Sequence, residues 1–177
     1  FNYYGSIEEQ VKSVIQQRPI EQLYPLLKGL VTPSENLLEI GCGTGWATNS
    51  IANNYKKKIL GLDYNPRVIE RARSVGKRLG LHSEFLCEDL FAFSEEKRAN
   101  EDCFDLIISL GVLHHTDNCI GAIKTICKNL LRGKGYFLVG LYHKYGRKPF
   151  LEYFESLKKK QSFRRRAIVE IQRIARP

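Results

Sequence analysis

The chain has 177 residues, 43% hydrophobic and 11% aromatic, enough for one closed core and too apolar for an intrinsically disordered protein. Its longest apolar runs are only a few residues, far short of a membrane-spanning helix, and Phe1-Asn2-Tyr3-Tyr4-Gly5 lacks the charged start and apolar centre of an export signal. The net charge of +9 is uneven: residues 144–177 hold eleven Lys/Arg against three acids, whereas residues 1–143 hold seventeen against sixteen. The sequence has no methionine, not even an initiator, so further residues beyond these 177 are expected.

In chain order, residues 6–30 read as helix interrupted at Arg18-Pro19, because proline disfavours helix in the residue before it. Strand-like runs follow at 36–40, 58–62, 83–87, 104–110 and 135–141. Helical stretches at 46–55, 66–80 and 117–131 lie between them, with Pro66 suited to a first helical turn and Gly80 and Gly133 placed as helix stops. The run Glu95-Glu96-Lys97-Arg98 reads as a solvated loop. Such alternation predicts an α/β, Rossmann-like doubly wound sheet, mostly parallel, with helices on both faces in three layers. Ligands of these sheets bind at the carboxyl ends of the strands, where the strand order switches direction. Beyond Leu141 the chain turns basic and helix-like, with Lys158-Lys159-Lys160 and Arg164-Arg165-Arg166 flanking Gln161-Ser162-Phe163, and no further strand is readable. The division expected is 1–143 as a cofactor-binding domain with N-terminal helices and 144–177 as a basic helical tail.

Cys42, Cys87, Cys103, Cys119 and Cys127 are odd in number and form no C-x-x-C pair. They are expected to be small buried thiols in a reducing cytoplasm rather than a disulfide frame or a zinc site. His82, His114, His115 and His143 show no ligand spacing with acids or thiols, so no metal is expected.

The strongest signal is Glu39-Ile40-Gly41-Cys42-Gly43-Thr44-Gly45, directly after the first strand. Alternate glycines allow a sharp turn and a close approach of backbone to a ligand, and a helix starting near Trp46 would aim its unpaired N–H groups at it. Dinucleotide sites use related turns, so the turn alone does not identify the ligand. Three acids narrow the choice. Glu39 stands two residues before the first glycine, Asp63 ends the second strand where a carboxylate reaches both ribose hydroxyls, and Asp89 ends the third, within reach of a purine amino group. An acid beside the first glycine is poorly matched to a pyrophosphate but suits a ligand carrying an ammonium group. That favours S-adenosyl-L-methionine over NAD.

Together with this turn, Asp63, Glu88-Asp89-Leu90, Phe104-Asp105-Leu106-Ile107-Ile108-Ser109, Gly111-Val112-Leu113-His114-His115 and Leu131-Arg132-Gly133-Lys134-Gly135 resemble a class I S-adenosylmethionine-dependent methyltransferase. The V-L-H-H and L-x-x-G-K-G stretches are similar to the branch related to ubiquinone and menaquinone methyltransferases. The resemblance covers about residues 30–142. It implies that Gly41, Cys42, Gly43 and Gly45 shape the methionine end of the cofactor site, with Glu39 at its amino group. It also implies that Asp63 and the adjoining Tyr64 meet the ribose, that Glu88, Asp89 and Leu90 surround the adenine, and that Ser109 and Leu110 border the methionine through backbone carbonyls. Duller roles compete: Asp63 as cap of the helix begun at Pro66, Asp89 as an ordinary turn residue.

Methyl transfer from a sulfonium is an in-line displacement that needs a general base only when the nucleophile arrives protonated. His114 and His115 follow the fourth strand and His143 follows the fifth, with Tyr142 and Tyr145 at the same rim. All three histidines are candidate bases, and lining the pocket is the rival role. Tyr3 and Tyr4 are candidates for covering it. Ser109-Leu110-Gly111-Val112 stands where methyltransferases of nucleobase amines carry an Asn/Asp-Pro-Pro-aromatic run, which disfavours that subclass. Family members usually add two more strands, the last antiparallel, and no such hairpin is readable after Tyr142. In the tail, Ile168, Ile171 and Ile174 recur at helical spacing among arginines, which suits a solvated helix, a basic substrate lid, or an anchor to RNA or an anionic membrane surface. The reading favoured is a cytoplasmic enzyme methylating an O, N or C nucleophile of a small molecule. The alternatives are an RNA or protein methyltransferase anchored by the tail and a non-catalytic cofactor-binding subunit. The oligomeric state is left open.

Overall fold

A computed structural model describes residues 5–16, 26–99 and 103–141. The chain divides between Leu141 and Tyr142 into two units, and the second falls outside the described residues. His143, Tyr142, Tyr145, the tail helix and the family's final hairpin therefore all lie outside them, as do Tyr3, Tyr4 and the Arg18-Pro19 break.

The N-terminal helix α1 (Ile7–Ile15) opens on a capping box. Ser6 Oγ accepts from the Glu9 amide at 3.1 Å, and the Glu9 carboxylate accepts in return from the Ser6 amide at 3.2 Å. A short α2 (Leu27–Val31) precedes β1 (Leu37–Ile40). There follow α3 (Trp46–Tyr55), β2 (Ile59–Asp63), α4 (Pro66–Arg78), β3 (Ser83–Cys87), α5 (Leu90–Ala99), β4 (Phe104–Leu110), a 3-10 turn (Leu113–His115), α6 (Cys119–Asn129) and β5 (Leu131–Gly140). Among the described residues five strands form one wholly parallel sheet in the order β3-β2-β1-β4-β5. The chain walks outward from β1 to β3 and then returns to β4 on the other side of β1. The crevice between the carboxyl ends of β1 and β4 is thus the topological switch point.

Period-two alternation sends neighbouring strand residues into two separate cores. Leu37, Ile59, Leu106 and Ile108 pack with α2 and α3 through Leu27, Val31, Ala47 and Ile51. Leu38, Leu62 and Ile107 pack on the other face with Phe93 of α5 and with Ala122 and Ile126 of α6. These two layers are the helices on both faces expected from the sequence.

The sequence boundaries hold closely at β1 to β4 and at α3. Helix α4 starts on Pro66, capped by Asn65, whose Oδ1 accepts from the Arg67 amide at 3.0 Å, and it stops before Gly80, which takes φ +61°. Two expectations need correction. Residues 95–98 are not a loop but the last turns of α5, which starts because Asp89 Oδ1 accepts from the amides of Phe91 (2.8 Å) and Ala92 (3.2 Å). The second concerns the end of α6 and the start of β5. Helix α6 ends at Asn129, before Gly133 is reached, and β5 begins at Leu131 rather than 135. Leu131 pairs with Phe104, but Tyr136 is the residue opposite Leu106, so the strand bulges between them. Gly135 permits the bulge, because a Cβ there would stand 3.0 Å from the carbonyl oxygens of Arg132 and Asp105.

Asp105 closes the amino end of the sheet. Its Oδ2 accepts from the amides of Glu35 (3.0 Å) and Asn36 (2.9 Å), and its other oxygen pairs with Arg132. Burial pushes its pKa up, but the two amides and the guanidinium outweigh that and hold it below the usual carboxylate range.

A candidate cofactor site at the carboxyl ends of the strands

The turn after β1 is anchored to the next strand. The amides of Gly41 and Cys42 both donate to the Leu62 carbonyl, at 2.8 and 3.0 Å, and the Gly45 amide closes the turn onto the Cys42 carbonyl at 2.9 Å. Gly41, Gly43 and Gly45 all take left-handed φ values, +72°, +53° and +76°. Two of them do different work. A Cβ on Gly41 would overlap the side chain of Val112 in the loop after β4, so glycine lets the two loops of the switch point touch. A Cβ on Gly43 would meet nothing within 4 Å, so this part of the turn presents bare backbone to open space.

Asp63 ends β2 beside that space. Its Oδ2 accepts from the Gly43 amide and its Oδ1 from the Asn65 amide, each at 2.9 Å. Asn65, not Asp63, caps α4, so the rival role drawn from the sequence is taken by another residue. Glu39 sits behind the turn, 6% exposed, with the Thr48 hydroxyl of α3 donating to its Oε2. Burial is the main cause that pushes its pKa from 4.5 up to about 7. The Asp63 charge adds to the rise, and the Thr48 contacts oppose it. Cys42 points away from the space, into a small cluster with Ile69, Ala72 and Phe85, and burial raises its thiol pKa so that it stays protonated. It supports the turn rather than facing a ligand.

The other expected residues fall around the same rim. Tyr64, 79% exposed, follows Asp63. Glu88 is tied back to β2 by its amide, which donates to the Asp63 carbonyl at 3.1 Å. Asp89 has one carboxylate oxygen engaged in capping α5, whose first residue is Leu90. Ser109 is buried at the end of β4, its Oγ without a hydrogen-bond partner among the described residues, and Leu110 follows it. The 3-10 turn then brings the His114 and His115 rings together at 4.0 Å between centroids, with His115 the more exposed.

Several contributors were not anticipated. Thr48 and Val112 belong to this group. The only sequence signal at Thr48 is the polar run Thr48-Asn49-Ser50 at the start of α3, which the structure shows to be wholly buried. A cleft of about 400 Å³ opens at the opposite rim, among the amino ends of the strands, walled by Lys58, Glu84 and Arg132. Lys58 and Glu84 pair there at 2.9 Å, and none of the expected site residues lines it.

The donor set fits a ligand with a cationic head and a hydroxylated middle. One carboxylate is buried behind the turn, a second stands at its lip, and Gly43, which the second holds, leaves room for a ligand. A pyrophosphate would bring more negative charge towards both acids.

Comparison with known proteins agrees. The model of the family described as "Methyltransferase domain" matches residues 32–172, and the chain belongs to that family. Among curated relatives, the malonyl-[acyl-carrier protein] O-methyltransferase of Anoxybacillus flavithermus is 36% identical over 49% of this chain and 31% of its own length. Nodulation protein S of Sinorhizobium fredii is 33% identical over 56% of this chain and 42% of its own. The chain therefore spans less than half the length of these relatives. Among solved structures, the PH0226 protein of Pyrococcus horikoshii aligns with TM-score 0.62 at 24% identity, over 75% of this chain and 61% of that one. The plantazolicin methyltransferase BpumL, solved with a desmethyl plantazolicin analogue and S-adenosylhomocysteine, aligns with TM-score 0.59 at 15% identity, over 82% and 56%. The shared architecture is the class I, Rossmann-like methyltransferase fold.

Proposed function

We propose that the chain binds S-adenosylmethionine at the Gly41–Gly45 turn and transfers its methyl group to an O, N or C nucleophile of a small molecule. The observation that carries this reading is the pairing of the Gly43 amide with Asp63 over open space, with buried Glu39 behind it. Bound S-adenosylmethionine supplies a methyl carbon made electrophilic by its sulfonium, and a neutral thioether as leaving group.

The chain's own residues bind and orient. Gly41 and Gly43 offer backbone to the methionine half, and Glu39 attracts its ammonium group. Asp63 has lone pairs left after its two amide bonds, and these take the ribose hydroxyls. Tyr64 flanks the ribose, Glu88 and the Leu90 amide border the adenine ring, and the Asp89 oxygen not used in capping accepts from its amino group. The carbonyls of Ser109 and Leu110 close the methionine end. Holding donor and acceptor in line supplies much of the rate without further chemistry. His115 takes the proton of an acceptor that arrives protonated, with the His114 ring tilted against it at 4.0 Å between centroids.

A small acceptor is supported by relatives named malonyl-[acyl-carrier protein] O-methyltransferase and 24-methylenesterol C-methyltransferase 2. No helix among the described residues is long and apolar enough to cross a membrane. A cytoplasmic setting belongs to the same proposal, supported by five free cysteines, of which only Cys42 is buried as expected, Cys103 and Cys119 being half-buried and Cys87 and Cys127 exposed.

Calorimetric titration with S-adenosylhomocysteine tests the cofactor site. We expect a single site in the wild type and none detectable in Asp63→Ala. Equal affinity in both proteins overturns the assignment. Tight, steeply salt-dependent RNA binding that disappears on deleting residues 158–177 would replace the small-molecule acceptor with a nucleic acid.

A further inference from the structure

Helix α1 reaches the glycine turn through the side chain of Gln10. Gln10 is completely buried on the face of α1 that also carries Val14, a position where a polar amide is costly unless satisfied. Both ends of its amide are bonded. Nε2 donates to the Thr44 carbonyl at 2.6 Å, and Oε1 accepts from Arg71 Nε at 2.8 Å. A second nitrogen of Arg71 donates to the carbonyl of Ser6, the α1 cap, at 2.7 Å, and Arg78 pairs with Glu8 further along. Two residues of α4 thus hold α1 so that Gln10 faces the turn.

The bond matters because of where Thr44 stands. Gly43 and Gly45 flank it, and two glycines allow the peptide planes between them to rotate at low cost. The Thr44–Gly45 peptide is held at both edges. Its N–H donates to the Cys42 carbonyl at 2.9 Å, and its C=O is taken by Gln10. The preceding Cys42–Gly43 peptide is held by Asp63 through the Gly43 amide at 2.9 Å. Without Gln10, one edge of the Thr44–Gly45 plane is left without that partner, and alternative orientations of the turn become accessible.

We infer that Gln10 is a positioning residue of the cofactor site, fixing the Thr44–Gly45 peptide from α1 and so coupling the order of that helix to cofactor affinity. The inference rests on the proposed site at the Gly41–Gly45 turn. Coupling of this kind is reciprocal: a ligand that binds the ordered turn also stabilises α1.

The test compares two variants with the wild type. Gln10→Glu keeps the size of the side chain and the acceptor for Arg71 but sets an oxygen against the Thr44 carbonyl. Asp105→Ala lowers stability at the opposite rim of the sheet, away from α1 and the turn. At pH 8 we expect Gln10→Glu to bind S-adenosylhomocysteine about tenfold more weakly, and Asp105→Ala to stay within about twofold of wild type despite a lower Tm. Ligand should slow amide exchange across α1 in the wild type and not in Gln10→Glu. Wild-type affinity in Gln10→Glu, or an equal loss in Asp105→Ala, overturns the inference while leaving the cofactor site standing. Absence of binding by the wild type removes the site itself.

Discussion

The Gly43 amide donates to Asp63 Oδ2 at 2.9 Å across 20 residues of sequence, so the glycine turn and the carboxyl end of β2 form one hydrogen-bonded unit. Asp63→Ala removes both the acceptor for that amide and the proposed ribose ligand. We expect a stability loss of about 1–2 kcal/mol, from chemical denaturation, and a loss of S-adenosylhomocysteine affinity of at least about 100-fold. If affinity falls only as far as the stability change accounts for, Asp63 is a strut and not a ligand.

Glu39 makes both folding and binding depend on pH. Its carboxyl takes a proton near pH 7 in the folded chain and near 4.5 when exposed, so the folded state holds the proton more tightly. Its contribution to stability is then complete below about 4.5 and is lost as pH rises through about 7, by on the order of 3 kcal/mol at most. Binding has the opposite slope: a ligand ammonium favours the ionised carboxylate, so affinity should rise with pH up to neutrality and a proton should be released. Glu39→Gln should flatten both profiles. Calorimetry in two buffers of different ionisation enthalpy reads the proton directly.

Gly41→Ala and Gly43→Ala should separate folding from binding. The first pushes a methyl into Val112 at a left-handed φ, and we expect it to cost about 3 kcal/mol of stability. The second adds a methyl in open space and costs about 1 kcal/mol for the φ of +53° alone. Yet it occupies the surface where the cofactor is proposed to lie. Gly43→Ala should therefore lose more affinity per unit of stability than any other alanine in the turn.

Asp105→Ala serves as the converse case. It removes the acceptor for the Glu35 and Asn36 amides and the partner of Arg132 at the amino end of the sheet. A loss of about 2 kcal/mol is expected, lowering Tm by roughly 4–8 °C, with S-adenosylhomocysteine affinity unchanged below the new transition. A parallel loss of affinity would mean that the two rims of the sheet are coupled.

For the reaction itself, His115→Gln should lower kcat by about 100-fold on an acceptor that must shed a proton, with little change in cofactor affinity. On an acceptor already deprotonated the same variant should keep wild-type kcat. Equal losses on both acceptors would assign the ring to the pocket wall.

The strands and helices that build the sheet were legible because their signals are local. Leu37–Ile40 and Phe104–Leu110 are short apolar runs, Pro66 and Gly80 punctuate α4, and the glycine turn falls where a switch point needs it. Helix α5 was hidden because only Phe93 and Ser94 of its ten residues are buried, leaving no strong helical stripe, although Asp89 marked its start. The start of β5 depends on a bulge against Asp105 that no periodicity encodes. Gln10 was invisible for a third reason. A glutamine in an amphipathic helix reads as solvated, and its partner lies 34 residues away.

Strand β1 is only four residues long, yet it is gripped at both ends, by Asp105 through the amides of Glu35 and Asn36 and by the Leu62 carbonyl through those of Gly41 and Cys42. A segment so short and so tethered has little freedom to slide in register, and the turn it delivers shares that rigidity. The conformational entropy that a mobile, glycine-rich loop would surrender on meeting a ligand has already been given up when the sheet forms. Association at this turn should accordingly show a small entropic penalty and a fast on-rate, limited by encounter rather than by rearrangement of the loop.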